Sequence, residues 1–454
     1  MDTPTNGSFL NAIAALSTTY QSEGHIDESR VLSKAVSKAV TEASEDPLAT
    51  VHTFGALVLN FLEDGQWNAA ADVGKLVVDA RIALLGPEHP LTLTGMSNLS
   101  SAYWGQGRWS AAAELGQRVI TARKRILGEE HPQTLTSMSN LASTYSKLGL
   151  FEEAEKLELQ LLEVRGRTLG AQDPSTLNSI GNLATTYASL GRYEDAERLE
   201  RQVVEQCSRI LGESHKSTLT WKSNLAVTYR EQGKLEKAAQ LESHVLDAKT
   251  RCLGSRHPLT LTSMANLATT YRDMERLNEA EDLETQVTEI SKAELGENHP
   301  QSLMAAGNLA STYRCQGRLP DAARLGAKVM TAMQTYLGQD HPLTLTAMAN
   351  LALVYQLQGR SQQAELLTLQ VLNLMQKYLG DMHPHTLTTM ANLVTIYQTQ
   401  GRWSDAETVA EQTLRGREAV LGKEHPDTHA SMEDMLRICR VLAADRALEQ
   451  ATMR

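Results

Sequence analysis

The spacing of apolar positions along the chain predicts helices that come in pairs. Between His257 and Gly296, the apolar residues of the first half recur three and four positions apart, which places them on one face of a helix. They are Leu261, Met264, Leu267, Ala268 and Tyr271. The second half repeats the spacing at Leu277, Ala280, Leu283 and Val287. The segment therefore predicts two amphipathic helices of about 17 and 19 residues joined by a turn.

The same pattern returns every 42 residues through most of the 454-residue chain. A Leu-Gly pair marks each return, and nine such pairs follow one another without an insertion or a deletion. They are Leu85-Gly86, Leu127-Gly128, Leu169-Gly170, Leu211-Gly212, Leu253-Gly254, Leu295-Gly296, Leu337-Gly338, Leu379-Gly380 and Leu421-Gly422. Short units that each supply one helix pair bury their apolar faces by stacking on their neighbours. We therefore predict an all-α fold, a right-handed α-solenoid of about ten 42-residue helix–turn–helix repeats.

The residues at the predicted helix ends agree with this fold. First helices should begin at His-Pro pairs, because proline lacks an N–H where no intrahelical partner exists. They mostly end at a glycine, which suits the left-handed backbone of a helix C-terminus, and Glu275 replaces that glycine once. The periodic histidines, with Asp173 in the same series, are interpreted as helix N-caps. Consecutive copies lie one repeat apart, too far to share a metal ion.

The two ends of the array diverge from the repeat pattern. We predict a divergent N-terminal repeat or cap at 1–47, where Tyr20 and Gly24 hint at a further unit, and tandem repeats at 48–426. A C-terminal capping fragment is predicted at 427–454, where Asp434 replaces the repeated asparagine and Ala443 replaces the glycine. Terminal repeats are expected to diverge because one of their faces meets water instead of a neighbouring repeat.

Charge and composition narrow the classes of partner. The formal net charge of −11 argues against nucleic acid and against an anionic membrane surface, because both attract a positive field. Four cysteines lie far apart and favour reduced thiols. No apolar run approaches the length of a membrane span, and the first nine residues show no signal-peptide pattern. We therefore expect a cytoplasmic protein.

The repeated phrase LGxxHPxTLTxMxNLAxTYxxQGRxxxAExL resembles the 42-residue tetratricopeptide repeat of kinesin light chains. It is also similar to the kinesin-light-chain-like arrays common in fungi, often found behind nucleotide-binding domains in immune-receptor-like proteins. The resemblance covers about residues 48–426, and the chain carries neither a GxxxxGK[ST] loop nor a heptad region. It implies a scaffold that binds a peptide or a protein segment in its concave groove.

An asparagine recurs once per repeat on the first helix. The series is Asn98, Asn140, Asn182, Asn224, Asn266, Asn308, Asn350 and Asn392. A side-chain amide can hold a ligand's backbone through both a donor and an acceptor. The resemblance implies that asparagines at the matching position face the groove, and Asn182, Asn224, Asn266, Asn308 and Asn350 are the central candidates. The alternative is that these asparagines bond within or between repeats. The small residues before each asparagine leave room for a guest, but they equally permit close helix packing.

Three arginines form a second candidate group. Arg230, Arg272 and Arg314 each lie six residues after an asparagine of the series. An arginine can hold a carboxylate or a phosphate through two hydrogen bonds, so this group predicts a partner with acidic groups. The alternative is that the three arginines balance nearby acids such as Glu231 and Asp273.

Enzymatic function has little support in the sequence. No HExxH, GxSxG or GxGxxG motif is present, and we expect no catalytic residue, no metal and no cofactor. The acidic run of Glu152, Glu153, Glu155 and Glu158 on a second helix is interpreted as a solvated convex face. The preferred function is a protein-interaction scaffold. The alternative is a small-molecule sensor, or an unorthodox enzyme that uses the same groove.

Overall fold

The computed structural model describes residues 6–23, 25–41 and 46–452, and its regular structure within these ranges is entirely α-helical. The helices are α1 (Asn6–Glu23), α2 (Ile26–Thr41), α3 (Pro47–Glu63), α4 (Trp67–Leu85), α5 (Pro90–Gly105), α6 (Trp109–Leu127), α7 (Pro132–Lys147), α8 (Phe151–Thr168), α9 (Pro174–Ser189), α10 (Tyr193–Leu211), α11 (Lys216–Glu231), α12 (Leu235–Leu253), α13 (Pro258–Asp273), α14 (Leu277–Leu295), α15 (Pro300–Cys315), α16 (Leu319–Leu337), α17 (Pro342–Leu357), α18 (Ser361–Leu379), α19 (Pro384–Thr399), α20 (Trp403–Val420) and α21 (Pro426–Thr452). Ten pairs and one closing helix thus occupy the described ranges, and the predicted all-helical repeat fold is confirmed. Gly24, which supported the first unit, lies outside these ranges.

A histidine caps most first helices from α5 onwards, as the sequence predicts. His257 Nδ1 accepts a hydrogen bond of 3.2 Å from the backbone N–H of Leu259, and Asp173 uses its carboxylate in the same way at 2.8 Å. A threonine two residues after the proline completes the turn, since Thr260 Oγ1 donates to the carbonyl of Gly254. Both contacts satisfy backbone groups that a helix end leaves without intrahelical partners.

The glycines that follow first helices in the described residues adopt a left-handed backbone; they are Gly65, Gly107, Gly149, Gly191, Gly233, Gly317, Gly359 and Gly401. Gly233 has a φ of 71°, and Glu275 is forced to a φ of 60° at the equivalent position, alone among the non-glycine residues that the structure describes. Glu275 therefore carries backbone strain that a glycine at this position avoids. In the last helix, α21, Ala443 occupies the position at which a glycine ends most of the other first helices, and α21 continues to Thr452.

The chain divides into two compact units, residues 1–148 and residues 149–454. In the first unit the core is rich in aromatic residues, with Phe54 fully buried and Phe9 packed edge-on against it. In the second unit the core consists of layers of aliphatic side chains between first and second helices. Leu345, Met348 and Val371 form one such layer. The second unit carries most of the candidate site residues.

Consecutive repeats of the second unit are also joined through a tyrosine and a cation. The guanidinium of Arg192 lies 3.9 Å above the ring of Tyr187, and the same group forms an ion pair of 3.2 Å with Glu155 in the preceding helix pair. The arrangement recurs further along the unit, where Arg318 covers Tyr313 and pairs with Glu281. Exposed ion pairs contribute little individually, but the ring contact adds to each of them.

Two turns of the second unit contact residues far away in sequence. A Cβ at Gly149 would collide with the ring of Pro384, at the start of α19. A Cβ at Gly191 would lie 2.7 Å from His425 Cδ2 and 3.2 Å from Pro426 Cδ. Most contacts join neighbouring helices, as expected for stacked repeats, but these two link the first and last repeats of the unit.

Candidate functional site

The asparagine series occupies one equivalent position on the first helices α9, α11, α13, α15, α17 and α19 of the second unit. The residues are Asn182, Asn224, Asn266, Asn308, Asn350 and Asn392. Asn350 is exposed and the others are half-buried. None of these six amides forms a side-chain hydrogen bond within the part of the chain that the structure describes. The alternative interpretation, in which these asparagines bond within or between repeats, therefore finds no support. Asn98 and Asn140 hold the equivalent places in the first unit.

The small residues that precede these asparagines do not all have the same role. Gly181 packs against the indole of Trp221 so closely that a Cβ would collide with the ring. At this position the small residue is required for packing between α9 and α11. Gly307 has only Val329 near it, at 3.9 Å from a would-be Cβ, and its surroundings are open. Both interpretations made from the sequence therefore apply, each to a different repeat.

Arg230 has acidic neighbours in its own chain. Its guanidinium lies 3.5 Å from Glu231 and 3.5 Å from Asp273, the two acids that the sequence singled out as balancing charges. The side chain is only 18% exposed. Arg230 also attracts the buried Glu242 on the following helix, as the pKa of that carboxyl shows below.

Arg272 is bound more tightly, to a glutamate on the following helix. Its Nη1 donates to Oε1 of Glu284 at 2.9 Å, and Thr312 Oγ1 donates to Oε2 of the same carboxylate at 2.5 Å. Glu284 is 1% exposed. One carboxylate of α14 thereby joins the first helices on either side of it, α13 and α15. The ion pair with Glu284 therefore fixes the position of the Arg272 guanidinium.

Arg314 differs from the other two arginines. Its side chain is half-buried and forms neither a hydrogen bond nor an ion pair among the described residues. The position that carries Glu284 in the preceding repeat carries Gly326 here. The three arginines therefore have different surroundings, and Arg314 is the one whose guanidinium has no carboxylate of its own chain beside it.

A series of buried glutamates runs along four consecutive second helices. Glu158, Glu200, Glu242 and Glu284 are each no more than 2% exposed. The interpretation of Glu158 as part of a solvated face is wrong: Glu152 and Glu153 are exposed, but Glu158 points inward. It lies one helical turn after Ala154, which is fully buried, so both share the face that packs against the neighbouring helices. The 42-residue recurrence of this glutamate four positions after a buried alanine was the signal available in the sequence.

Burial changes the protonation of these carboxyls. Loss of hydration raises the pKa of Glu158 and of Glu200 to about 7, although hydrogen bonds from Thr186 and Thr228 oppose the rise. Burial also raises the pKa of Glu242 and Glu284, where Arg230 and Arg272 act in the opposite direction. The series thus contains two carboxyls with an arginine and two without one.

The histidines act as caps, and no cluster of three or more histidine, cysteine or acidic residues that could hold a metal ion is found among the described residues. None of the helices, within those residues, is long and apolar enough to cross a membrane. The four cysteines are free, with Cys207 buried and the other three exposed.

Comparison with solved structures returns repeat proteins. A candidate kinesin light chain from Podospora anserina with nearly identical TPR-like repeats shares 32% identity, covering 45% of this chain and 97% of that one, at a TM-score of 0.40. BtubC from P. vanneervenii shares 21% identity over 51% of this chain and 92% of that one, at 0.43. The apo quorum sensor NprR from B. thuringiensis shares 16% identity over 82% and 97%, at 0.52, and supports the fold alone. A search of curated proteins found no match.

Two family models, both described as tetratricopeptide repeat, match the sequence. The first covers residues 175–251 and 301–377, and the second covers residues 92–133, 134–175, 260–301 and 386–427. Together they account for well over half of the chain, in the same register as the helix pairs. The chain belongs to the tetratricopeptide repeat family.

Proposed function

We propose that this protein is an interaction scaffold that binds an extended peptide or protein segment along the face carrying Asn182, Asn224, Asn266, Asn308 and Asn350. The observation that supports this most is that these side-chain amides are partly exposed and form no hydrogen bonds among the described residues. Each is accessible to a partner and none is used by the chain itself. An amide that is partly exposed and forms no hydrogen bond within its own chain keeps both a donor and an acceptor free for a ligand, so a series of them favours a ligand that offers such groups once per repeat.

A polypeptide backbone fits this requirement, because it offers N–H and C=O groups at regular intervals whatever its sequence. Recognition through backbone groups gives affinity, and neighbouring side chains then give specificity. Arg314, which has no carboxylate of its own chain beside it, supports a partner with acidic groups, and the net charge of −11 disfavours nucleic acid and anionic membranes as alternatives. A cytoplasmic location is part of the same proposal.

The enzyme alternative would require a reactive group that a substrate can reach. The strongest polar constellation, Arg272 with Glu284 and Thr312, is satisfied by its own members, and its carboxylate is nearly inaccessible. Its geometry suits a structural tie between helices. These contacts favour binding over catalysis.

The proposal can be tested by selecting a phage-displayed library of random 12-residue peptides on the full chain. Affinities of the selected peptides are then measured by calorimetry for the wild type and for the combined variant Asn224→Ala, Asn266→Ala and Asn308→Ala. We expect a loss of about 3 kcal/mol in the triple variant, at about 1 kcal/mol per lost hydrogen-bonding group.

Matched controls are available on the second helices, where Asn278 and Asn373 are exposed. The variants Asn278→Ala and Asn373→Ala should bind with unchanged affinity. Failure to select any peptide, or equal binding by the triple variant and the wild type, would refute the proposed function.

A further inference from the structure

The pairing of Arg272 with Glu284 provides an internal template for a binding site one repeat later. In the template, an arginine on a first helix meets a glutamate twelve residues further on, on the second helix. The same spacing joins Arg314 on α15 to position 326 on α16. That position is Gly326, so the arginine remains but the carboxylate is missing. Three repeats carry an arginine at this first-helix position, namely Arg230, Arg272 and Arg314. Twelve residues later, on the second helix, the first two repeats carry a glutamate, and only the third carries a different residue.

The missing side chain leaves a pocket. It is an open recess between α15, α16 and α17, and the space inside it, about 20 Å³, has room for about one water-sized group. Gly307, Gly326 and Ala347 supply its small walls, and Val329 and Val354 supply its apolar ones. Arg314 and Asn350 line the same pocket. The pocket therefore combines apolar walls, a cation without a carboxylate and an amide without a hydrogen bond.

We propose that this pocket receives the side chain of an acidic residue, preferably glutamate, from a peptide bound along the asparagine series. The incoming carboxylate pairs with the guanidinium of Arg314, as the carboxylate of Glu284 pairs with Arg272. The inference rests on the proposed function and adds a specificity site to it.

Two features favour an acidic side chain over other occupants. First, the preceding repeat shows that an arginine in this register binds a carboxylate carried by two methylene groups. Second, a neutral donor lies nearby for the other carboxylate oxygen, although Val354 replaces Thr312 and no hydroxyl can donate to that oxygen here. The amide of Asn350 is the donor that lines the pocket in its stead. A charge-assisted contact in a partly desolvated pocket is stronger than one between neutral groups.

The test compares peptides selected from the random 12-residue library by three forms of the full chain: the wild type, Arg314→Gln and Gly326→Glu. Glutamine is the natural residue at the equivalent positions Gln356 and Gln398, so Arg314→Gln should fold normally. Gly326→Glu places a carboxylate of the chain itself in the pocket. Its Cβ would meet Leu351 at an ordinary contact distance of 3.4 Å.

Gly116→Glu is the matched control, because Gly116 occupies the same helical position with Trp104 in place of the arginine. Thermal unfolding of each variant confirms that it is folded before peptides are compared.

We expect the peptides selected by the wild-type protein to share an acidic residue at a constant position. The variant Gly116→Glu should select the same peptides. Arg314→Gln should bind them roughly ten- to hundred-fold more weakly, and Gly326→Glu should lose the acidic preference. Replacing the acidic residue of the peptide by glutamine should weaken binding to the wild type by a similar factor, but not to Arg314→Gln.

Wild-type peptides without a common acidic residue, or an acidic preference that both pocket variants retain, would overturn this inference and leave the proposed function standing. Selection of no peptide at all would overturn both.

Discussion

Arg272 and Glu284 form a nearly buried ion pair, with the Nη1 of the arginine 2.9 Å from Oε1 of the glutamate. The carboxylate is 1% exposed and also accepts a hydrogen bond from Thr312, so it holds three consecutive helices together. A buried charge that loses its partner is strongly destabilising, even where the intact pair contributes little.

Removing the arginine of this pair should therefore destabilise the second unit. We expect Arg272→Ala to lower the free energy of unfolding by about 3 kcal/mol, measured by guanidinium chloride denaturation. Arg314→Ala is the control, because it removes the same side chain at a position without a carboxylate, and it should change stability little. Equal losses in the two variants would show that the ion pair has no special weight.

The two buried glutamates without an arginine should make stability depend on pH. The folded state raises the pKa of Glu158 and Glu200 from 4.5 to about 7, so it binds more protons than the unfolded state between these values. Their contribution is fully present below pH 4.5 and is lost as the pH rises through 7. Each glutamate should account for on the order of 1–3 kcal/mol of this loss.

Thermal unfolding followed between pH 5 and pH 8 measures that dependence. The variant Glu158→Gln with Glu200→Gln should show a smaller decrease in melting temperature over this range than the wild type. Glu152→Gln, at an exposed position of the same helix as Glu158, should retain the full decrease. A double variant with an unaltered pH profile would contradict the assignment.

The contact between Gly149 and Pro384 can be isolated with a matched glycine. Gly149 and Gly233 share a φ of 71°, but only Gly149 has a distant residue against it. Gly233→Ala should cost about 1–2 kcal/mol through backbone strain alone. Gly149→Ala should cost a further 1–3 kcal/mol, because its methyl group collides with the proline ring. Denaturation of both variants provides the comparison, and identical losses would mean that the turns separate freely.

The histidine caps predict a substitution with little effect. Asparagine is a competent N-cap, so His257→Asn should change the free energy of unfolding by under about 1 kcal/mol, whereas His257→Ala should lose about 1 kcal/mol. Thermal unfolding with and without a chelator distinguishes capping from metal binding. A melting temperature that the chelator lowers in the wild type, but not in His257→Asn, would indicate a metal site instead.

The fold could be predicted from the sequence because its determinants are local and repeated. The cap at His257, the glycine turn at Gly233 and the strained turn at Glu275 each depend on a few adjacent residues. Nine copies in one register then identify these positions with little ambiguity. The continuation of α21 through Ala443 follows from the same rule, since the residue that would end the helix is absent.

The site was less predictable because its determinants lie between repeats. A glutamate such as Glu158 resembles its exposed neighbours in composition, and only its spacing from Ala154 shows that it faces inward. The partner of Arg272 was missed for a similar reason, since Glu284 lies on the next helix and its pairing depends on how the two helices pack. The contact of Gly149 with Pro384 has no local signal at all, because it depends on the summed rotation of the repeats between them.

That last contact also bears on how the second unit responds to force. A stack of repeats joined only to their neighbours extends under tension like a spring, each interface yielding by a small amount. Here the turns at Gly149 and Gly191 contact Pro384 and His425, which lie more than two hundred residues further along the chain. Tension applied across the unit must separate these turns before the stack can lengthen. We therefore expect the unit to resist extension at low force and to lengthen readily only after these contacts have separated.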